Sequence, residues 1–337
     1  MSTAVGNAPV QFAPTASQLR MAYSVCRSIA RSAAKNFYYG FAVLPRRKRN
    51  ALSAVYAFMR RCDDIADDNS SSPRDRHNKL LEWLDNMHRA LSGQPTDDPV
   101  LMALVDAQRT YQIPVGLLDQ LAYGTAEDLE NNHSAPSGEH SFDHHFDHQL
   151  DHELDHQLDH RLGQPLLARY QTFAELRQYC YGVASVVGLV CIQIFGYRDP
   201  AAEPLAERCG LAFQLTNILR DVKEDIAMGR VYFPDEDLAE FGLSAADLAG
   251  PKVDMARVRP LLALEADRAR DSYQAGDELI PLVSEDSQPA LWVLITIYRR
   301  LLEKIVLKQY NVFGERIRLT VPEKLAVLGK GFAKRLL

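Results

Sequence analysis

The sequence predicts an all-α fold held in a single domain, and three observations carry that prediction. Apolar residues recur at helical spacing from about Leu19 to Asn131, and again from Tyr170 to the C-terminus. No segment alternates apolar and polar residues with the period of a strand. Proline, glycine and serine cluster between the periodic stretches, where helices stop and start.

Residues 1–17 are small and polar, carry Pro9 and Pro14, and read as a loose N-terminal tail. Residues 18–337 read as the folded domain. Its first half holds one stripe of Leu52, Val55, Met59, Cys62 and Ile65 and another of Leu80, Leu81, Leu84 and Met87, each spaced as one helix face. Pro45, the run 70–73 (SSSP), the stretch 93–99 and Pro114 punctuate these helices. In the second half the strongest helical segments are 183–194, 209–226, 258–280 and 290–310, interrupted at 229–234 and 242–251. No apolar run approaches the ~20 residues that span a bilayer; the best, 291–298, is far shorter.

Between the halves, residues 132–165 break the pattern. Phe142, Phe146, Leu150, Leu154, Leu158 and Leu162 alternate with His144, His148, His152, His156 and His160 in an apolar–Asp–His–x repeat. A period of four drifts by about 40° per repeat around a helix, so no fixed face survives. The segment reads as a low-complexity His/Asp-rich insertion, a surface excursion without catalytic role, with adventitious metal binding as the alternative.

Charge and cysteine content narrow the function classes. Thirty-eight basic against 44 acidic residues give a net charge of −6, which argues against a nucleic-acid binder working by phosphate neutralisation. Any affinity for phosphate then needs a local cause. The five cysteines, Cys26, Cys62, Cys180, Cys191 and Cys209, form no CxxC pair and read as small buried residues in a reducing compartment. The first twenty residues show no basic-then-apolar secretory pattern. The expectation is a cytoplasmic monomer or homodimer. The basic stretch 314–337, with Arg316, Arg318, Lys324, Lys330, Lys334 and Arg335, reads as a solvated last helix, with peripheral docking on the inner membrane face as the alternative.

Two acidic constellations carry chemistry. In the run 60–68 (RRCDDIADD), Asp63 and Asp67 stand one turn apart on a helix face. Like charges so placed repel, and the bland reading is a solvated acidic helix end. In the run 214–225, Asn217, Asp221 and Asp225 fall in one line with Gln214 beside them, bordering a stripe of Leu211, Leu215, Ile218, Leu219 and Val222. Carboxylates at the edge of a core are costly unless cations join them. Mg²⁺ (or Mn²⁺) takes one or two carboxylates together with water and phosphate oxygens. Two such helices facing each other can therefore hold metal around a diphosphate, with Arg60, Arg220 and Arg230 adding charge-assisted hydrogen bonds. Ionisation of an allylic diphosphate is the chemistry this favours. The resulting carbocation needs a dry cavity with aromatic faces, and Phe37, Tyr38, Phe41, Tyr56 and Phe213 lie beside the right segments.

These motifs, together with the runs 35–45 (KNFYYGFAVLP), 56–67, 179–188, 213–225 and 229–234 (GRVYFP), resemble the squalene/phytoene synthase family across nearly the whole chain outside 1–17 and 131–168. The resemblance implies an isoprenoid-synthase helical bundle with a central cavity. It implies Asp63, Asp67, Asn217, Asp221 and Asp225 as metal positions, and Arg60, Arg220, Lys223 and Arg230 as diphosphate contacts. Tyr179 would lie near the reacting carbons, with Gln214, Phe37, Phe41, Tyr56 and Tyr298 lining the prenyl channel. Asn36 departs from the family, whose members usually carry serine there.

The implied reaction is ionisation of one prenyl diphosphate, attack on its C1 by the 2,3-double bond of a second, and proton loss to a cyclopropylcarbinyl diphosphate. The first expectation for the product is presqualene diphosphate from two farnesyl diphosphates, and squalene where NADPH is used. The fragments 37–40 and 310–319 look closer to bacterial hopanoid-pathway enzymes of that kind. The alternative is phytoene from two geranylgeranyl diphosphates, without a reductant. A non-catalytic helical scaffold and a metal buffer built on the histidine tract are the non-enzyme readings.

Overall fold

The breakers in the sequence become helix N-termini in the structure. The computed structural model describes residues 14–33, 37–68, 70–131, 170–249 and 253–336. The first half forms α1 (Ala16–Ala33), α2 (Phe37–Val43), α3 (Arg46–Ala66), α4 (Pro73–Leu91), α5 (Pro99–Tyr111) and α6 (Val115–Asn131). α3 follows Pro45 and α6 follows Pro114. α4 opens on Ser72, whose hydroxyl accepts the Asp75 N–H at 3.1 Å. α5 opens on Asp98, whose carboxylate accepts the N–H groups of Val100 at 2.7 Å and Leu101 at 3.1 Å. Each cap satisfies amides that the first turn leaves without partners, and proline at the first helical position has no such amide to satisfy.

α1 starts earlier than hydrophobic periodicity predicts. Thr15 and Gln18 form a capping box: the Thr15 N–H reaches Gln18 Oε1 at 2.8 Å, and the Gln18 N–H reaches the Thr15 hydroxyl at 3.3 Å. The first thirteen residues of the expected tail, Lys35 and Asn36, and the His/Asp-rich insertion lie outside the described residues.

The second half forms α7 (Phe173–Cys180), a π turn (Tyr181–Ser185), α8 (Val186–Phe195), α9 (Ala202–Ala227), α10 (Asp235–Glu240), α11 (Ala245–Ala249), α12 (Met255–Leu279), a 3₁₀ turn (Ile280–Leu282), α13 (Gln288–Leu307) and α14 (Val321–Leu336). Among the described residues no strand forms. α11 falls inside the expected interruption 242–251, where the Asp247 carboxylate accepts both the backbone N–H and the hydroxyl of Ser244.

α9 is the central element. It packs along α12 and crosses the π turn and α8, while α13 lies against α9 and α2. The crossing brings backbone against backbone. A β-carbon at Gly210 would sit 2.7 Å from the Ala184 carbonyl oxygen, and one at Gly188 would sit 2.7 Å from that of Ala206. Only glycine permits so close an approach.

Through the π turn, Phe173–Phe195 runs as one helix, long and apolar enough to cross a bilayer by length and composition. The expectation of no such run fails here, because the π turn joins two segments that are separately short. The segment packs against α6 and α9, and the Ser185 hydroxyl donates to the Glu207 carbonyl at 2.9 Å. We read it as a core helix.

Candidate active site

Both acidic runs sit at helix C-termini. Asp63 and Asp64 occupy the last turn of α3 and Asp67 caps it; Asp221, Glu224 and Asp225 occupy the last two turns of α9. Neither last turn contains a basic residue. Helix C-termini carry partial negative charge, so each carboxylate placed there costs about 0.3–1 kcal/mol in the absence of a cation.

On α3 the Asp67 N–H donates to the Asp63 carbonyl at 2.8 Å, which keeps the two aspartates one turn apart. Asp63 is half-buried and Asp67 exposed. The acids that follow each of them, Asp64 and Asp68, are engaged elsewhere. Asp64 pairs with Arg60 at 2.6 Å. Asp68 accepts the hydroxyls of Ser70 and Ser71 and the Lys79 ammonium, which hold its carboxyl well below the usual range.

On α9, Asp221 is gripped by two guanidiniums. Arg220 Nε donates to its Oδ1 at 2.7 Å and Arg316 Nε to the same oxygen at 2.8 Å. One turn earlier, Asn217 Nδ2 reaches Gln214 Oε1 at 3.4 Å, while its buried Oδ1 has no hydrogen-bond partner. Buried Glu224 Oε2 also lacks one. Burial pushes the Asp225 carboxyl up to about 7, reinforced by the charges of Asp221 and Glu224 and opposed by Arg230 and Arg220. The turn after α9 returns Arg230, whose N–H donates to the Asp225 carbonyl at 2.8 Å. Lys223 is not brought to this group. It is exposed, and its ammonium donates to the Gly314 carbonyl at 3.2 Å, tying down the loop that delivers Arg316.

An aromatic wall runs from α2 across α9 to α13. Tyr298 of α13 stacks on Phe213 of α9 at 4.4 Å between ring centroids and meets Phe37 of α2 at 5.7 Å. Phe37 in turn meets Phe41 at 6.4 Å. Tyr56 of α3 is half-buried, and burial pushes its phenol up to about 12, with Asp63 and Tyr298 adding to the rise. Tyr298 also lies within electrostatic reach of Tyr56 and of Arg220.

Tyr179, at the end of α7, is buried. Its ring stacks on Tyr232 at 5.2 Å and meets Tyr170 at 5.6 Å, and its hydroxyl donates to the Tyr232 hydroxyl at 3.3 Å. The strap carrying Arg230 and Tyr232 is anchored from behind. Arg268 Nη2 donates to Asp237 Oδ1 at 2.8 Å, and Arg268 reaches Glu265 at 3.3 Å while lying 3.9 Å over the Phe173 ring. Burial pushes Glu265 up to about 7 despite that arginine.

The donor set fits a divalent cation that prefers oxygen. It offers amide and carboxylate oxygens, an unpartnered buried Asn217 Oδ1, and carboxylates at two helix C-termini. Among the described residues no three acidic, histidine or cysteine side chains converge as a metal-binding group. Mg²⁺ sites commonly use one or two protein carboxylates with water and phosphate completing the shell.

Sequence reasoning missed Arg316 as a site residue, grouping it with a solvated basic tail; nothing local to it signals a partner 95 residues away. It also passed over Tyr232, although that residue lies within the 229–234 run.

A polar rim of this kind above an aromatic wall is the architecture of an α-helical isoprenoid synthase. A family model described as squalene/phytoene synthase matches residues 30–323. A phytoene synthase from Mycobacterium tuberculosis is 34% identical over 319 residues, covering 94% of this chain and 92% of the relative. A 15-cis-phytoene synthase from Synechococcus elongatus is 32% identical over 324 residues, covering 92% of each. Among solved structures, a dehydrosqualene synthase in complex with ligand superimposes with a TM-score of 0.75 at 27% identity, covering 94% of this chain and 97% of its own. Squalene synthase HpnC from Alicyclobacillus acidocaldarius gives 0.71 at 27% identity, covering 88% and 97%. This chain belongs to the squalene/phytoene synthase family, prenyltransferases that condense two prenyl diphosphates head to head and generally use a divalent metal.

The names of the curated relatives turn the expectation of a C15 product toward its C20 alternative. The fragments that pointed to C15 are poor reporters of chain length. Residues 37–40 belong to the helix that contributes Phe37 to the aromatic wall, and the loop within 310–319 carries Arg316 to Asp221. Both serve parts of the site that any substrate length would need.

Proposed function

We propose that the enzyme condenses two geranylgeranyl diphosphates to phytoene, with Mg²⁺ as its metal, Mn²⁺ as a substitute, and no reductant. One observation carries the choice of chain length: five relatives 31–34% identical over more than nine-tenths of this chain bear the name phytoene synthase. Residues 18–337 act as one catalytic domain in the cytoplasm, and the insertion at about 132–165 takes no part in the reaction.

Asp63, Asp67, Asn217, Asp221 and Asp225 hold the metal. When bound, the divalent ions supply positive charge that stabilises the departing diphosphate. Arg60, Arg220, Arg230 and Arg316 donate charge-assisted hydrogen bonds to diphosphate oxygens. As the C1–O bond of the donor breaks, the wall of Phe37, Phe41, Tyr56, Phe213 and Tyr298 excludes water and presents aromatic faces to the cation. Gln214 lines the same channel. The acceptor's double bond attacks C1, and a proton leaves to close the cyclopropane; the acceptor's own diphosphate then departs, and the resulting cation rearranges and loses a second proton to give phytoene. Tyr179 steers the first proton loss, its hydroxyl held by Tyr232.

The test is incubation of the full chain with C15 or C20 diphosphate, with and without NADPH, followed by mass spectrometry of the lipid extract. The expected product is phytoene from the C20 substrate without NADPH. The solved dehydrosqualene and squalene synthases favour the C15 reading, and efficient turnover of C15 diphosphate alone overturns the proposal. Deleting residues 132–165 is expected to leave turnover intact.

A further inference from the structure

The last helix is inverted. Surface helices that pack one face on a core usually show polar residues outside. α14 buries Val327 and Gly331, the latter against Val293 of α13 and Val43 next to it. Its outward residues Val321, Pro322, Leu325, Ala326, Gly329, Phe332 and Ala333 are all exposed, and none carries a charge or a hydrogen-bonding side chain. Val321, Leu325 and Phe332 fall within about 40° of one another around the helix, exposed at 59%, 52% and 40%. Leu307, at the end of α13, is 80% exposed. The Lys304–Glu323 ion pair at 2.9 Å joins that end to the start of α14.

Lysines border this apolar arc. Lys324 flanks one side, its ammonium 5.4 Å over the Tyr39 ring; Lys330 and Lys334 flank the other, Lys334 lying 5.0 Å over Trp292. Residues 314–337 contain six basic and two acidic side chains in a chain whose net charge is −6. A second copy is a poor occupant, because a two-fold contact sets the patch against itself and brings lysine rims together. A surface that is apolar within and anionic at its headgroups complements both features.

We infer that the outer face of α14, with Leu307, is a peripheral docking surface for anionic membrane. The enzyme thereby works where prenyl chains and their condensed product partition. The inference rests on this face and on the family chemistry, not on the choice of product.

Flotation of the full chain with vesicles of phosphatidylcholine, alone or mixed with phosphatidylglycerol, tests it. Wild type should float with the mixed vesicles, and added salt should release it. Leu325→Glu with Phe332→Glu, or Leu325→Ser with Phe332→Ser should the charged pair fail to fold, should lower partitioning at least about tenfold. Lys330→Glu with Lys334→Glu should lower it by a similar factor. All three pairs should keep wild-type turnover on detergent-dispersed substrate, a readout that separates loss of docking from loss of catalysis. Wild type that ignores both vesicle types, or variants that float as well as wild type, would overturn the inference. So would a dimer in light scattering that the same substitutions split, with no vesicle binding, since the face would then join two copies.

Discussion

Replacing Asp225 with asparagine is expected to stabilise the metal-free protein while removing its response to divalent ions. In the folded chain this carboxyl stands at about 7 against an ordinary 3.8, because burial disfavours its charged form and Asp221 repels it. At about 1.36 kcal/mol per pH unit, that difference is a ceiling of about 4 kcal/mol. The sign follows from proton counts. Below pH 4 both folded and unfolded chains hold the proton, and no penalty exists. Between about pH 4 and 7 the unfolded chain has released it while the folded chain has not, so stability falls as pH rises. Above 7 the penalty is constant. Asparagine removes the charge but keeps a buried amide, whose own desolvation costs about 1–2 kcal/mol, leaving a net gain of roughly 2 kcal/mol. For a chain of 337 residues that corresponds to about 3 °C in Tm. Calorimetry in chelator should show the variant melting higher than wild type at pH 8, with the advantage vanishing toward pH 4. Adding Mg²⁺ at pH 8 should raise the wild-type Tm and leave the variant unmoved. A variant no more stable than wild type at pH 8, or one whose advantage grows in acid, refutes the reasoning.

Asp63→Ala or Asp221→Ala should lower kcat by about 10²–10³-fold or more while the helical CD spectrum persists; near-wild-type turnover in either would end the metal assignment. EDTA should stop wild-type turnover and excess Mg²⁺ restore it. Arg316→Ala should lower kcat/KM by about 10²-fold, and Arg316→Lys should recover little, since an ammonium cannot reproduce the two-nitrogen grip on Asp221. Arg268→Ala leaves Asp237 and Glu265 buried without their guanidinium and should cost about 3–5 kcal/mol. An unchanged urea midpoint would show the cluster to be dispensable.

What the sequence made legible was whatever is local. Proline and its capping neighbours mark the starts of α4 and α5 because the amides they serve lie within three residues. The one-turn spacing of Asp63 with Asp67, and of Asn217 with Asp221 and Asp225, survives folding because a helix preserves it. The Thr15–Gln18 box was equally readable, but the apolar stripe starts later and drew the boundary with it. Contacts made by distant chain were hidden. Arg316 looked like tail charge, and the outward face of α14 looked solvated because its lysines are conspicuous in a list and its alanines, glycine and valine are not. Chain length stayed illegible because the motifs that identify the family cluster around its diphosphate chemistry.

The glycine contacts beneath α9 limit how the active site can move. Where two helices touch through their main chains, there is no side-chain cushion to compress, so α9 acts as a fixed rail for Asn217, Asp221 and Asp225. Adjustment to an incoming pyrophosphate must then come from the long arms around that rail: Arg220 beside it, Arg316 on its loop, and Arg230 on the strap.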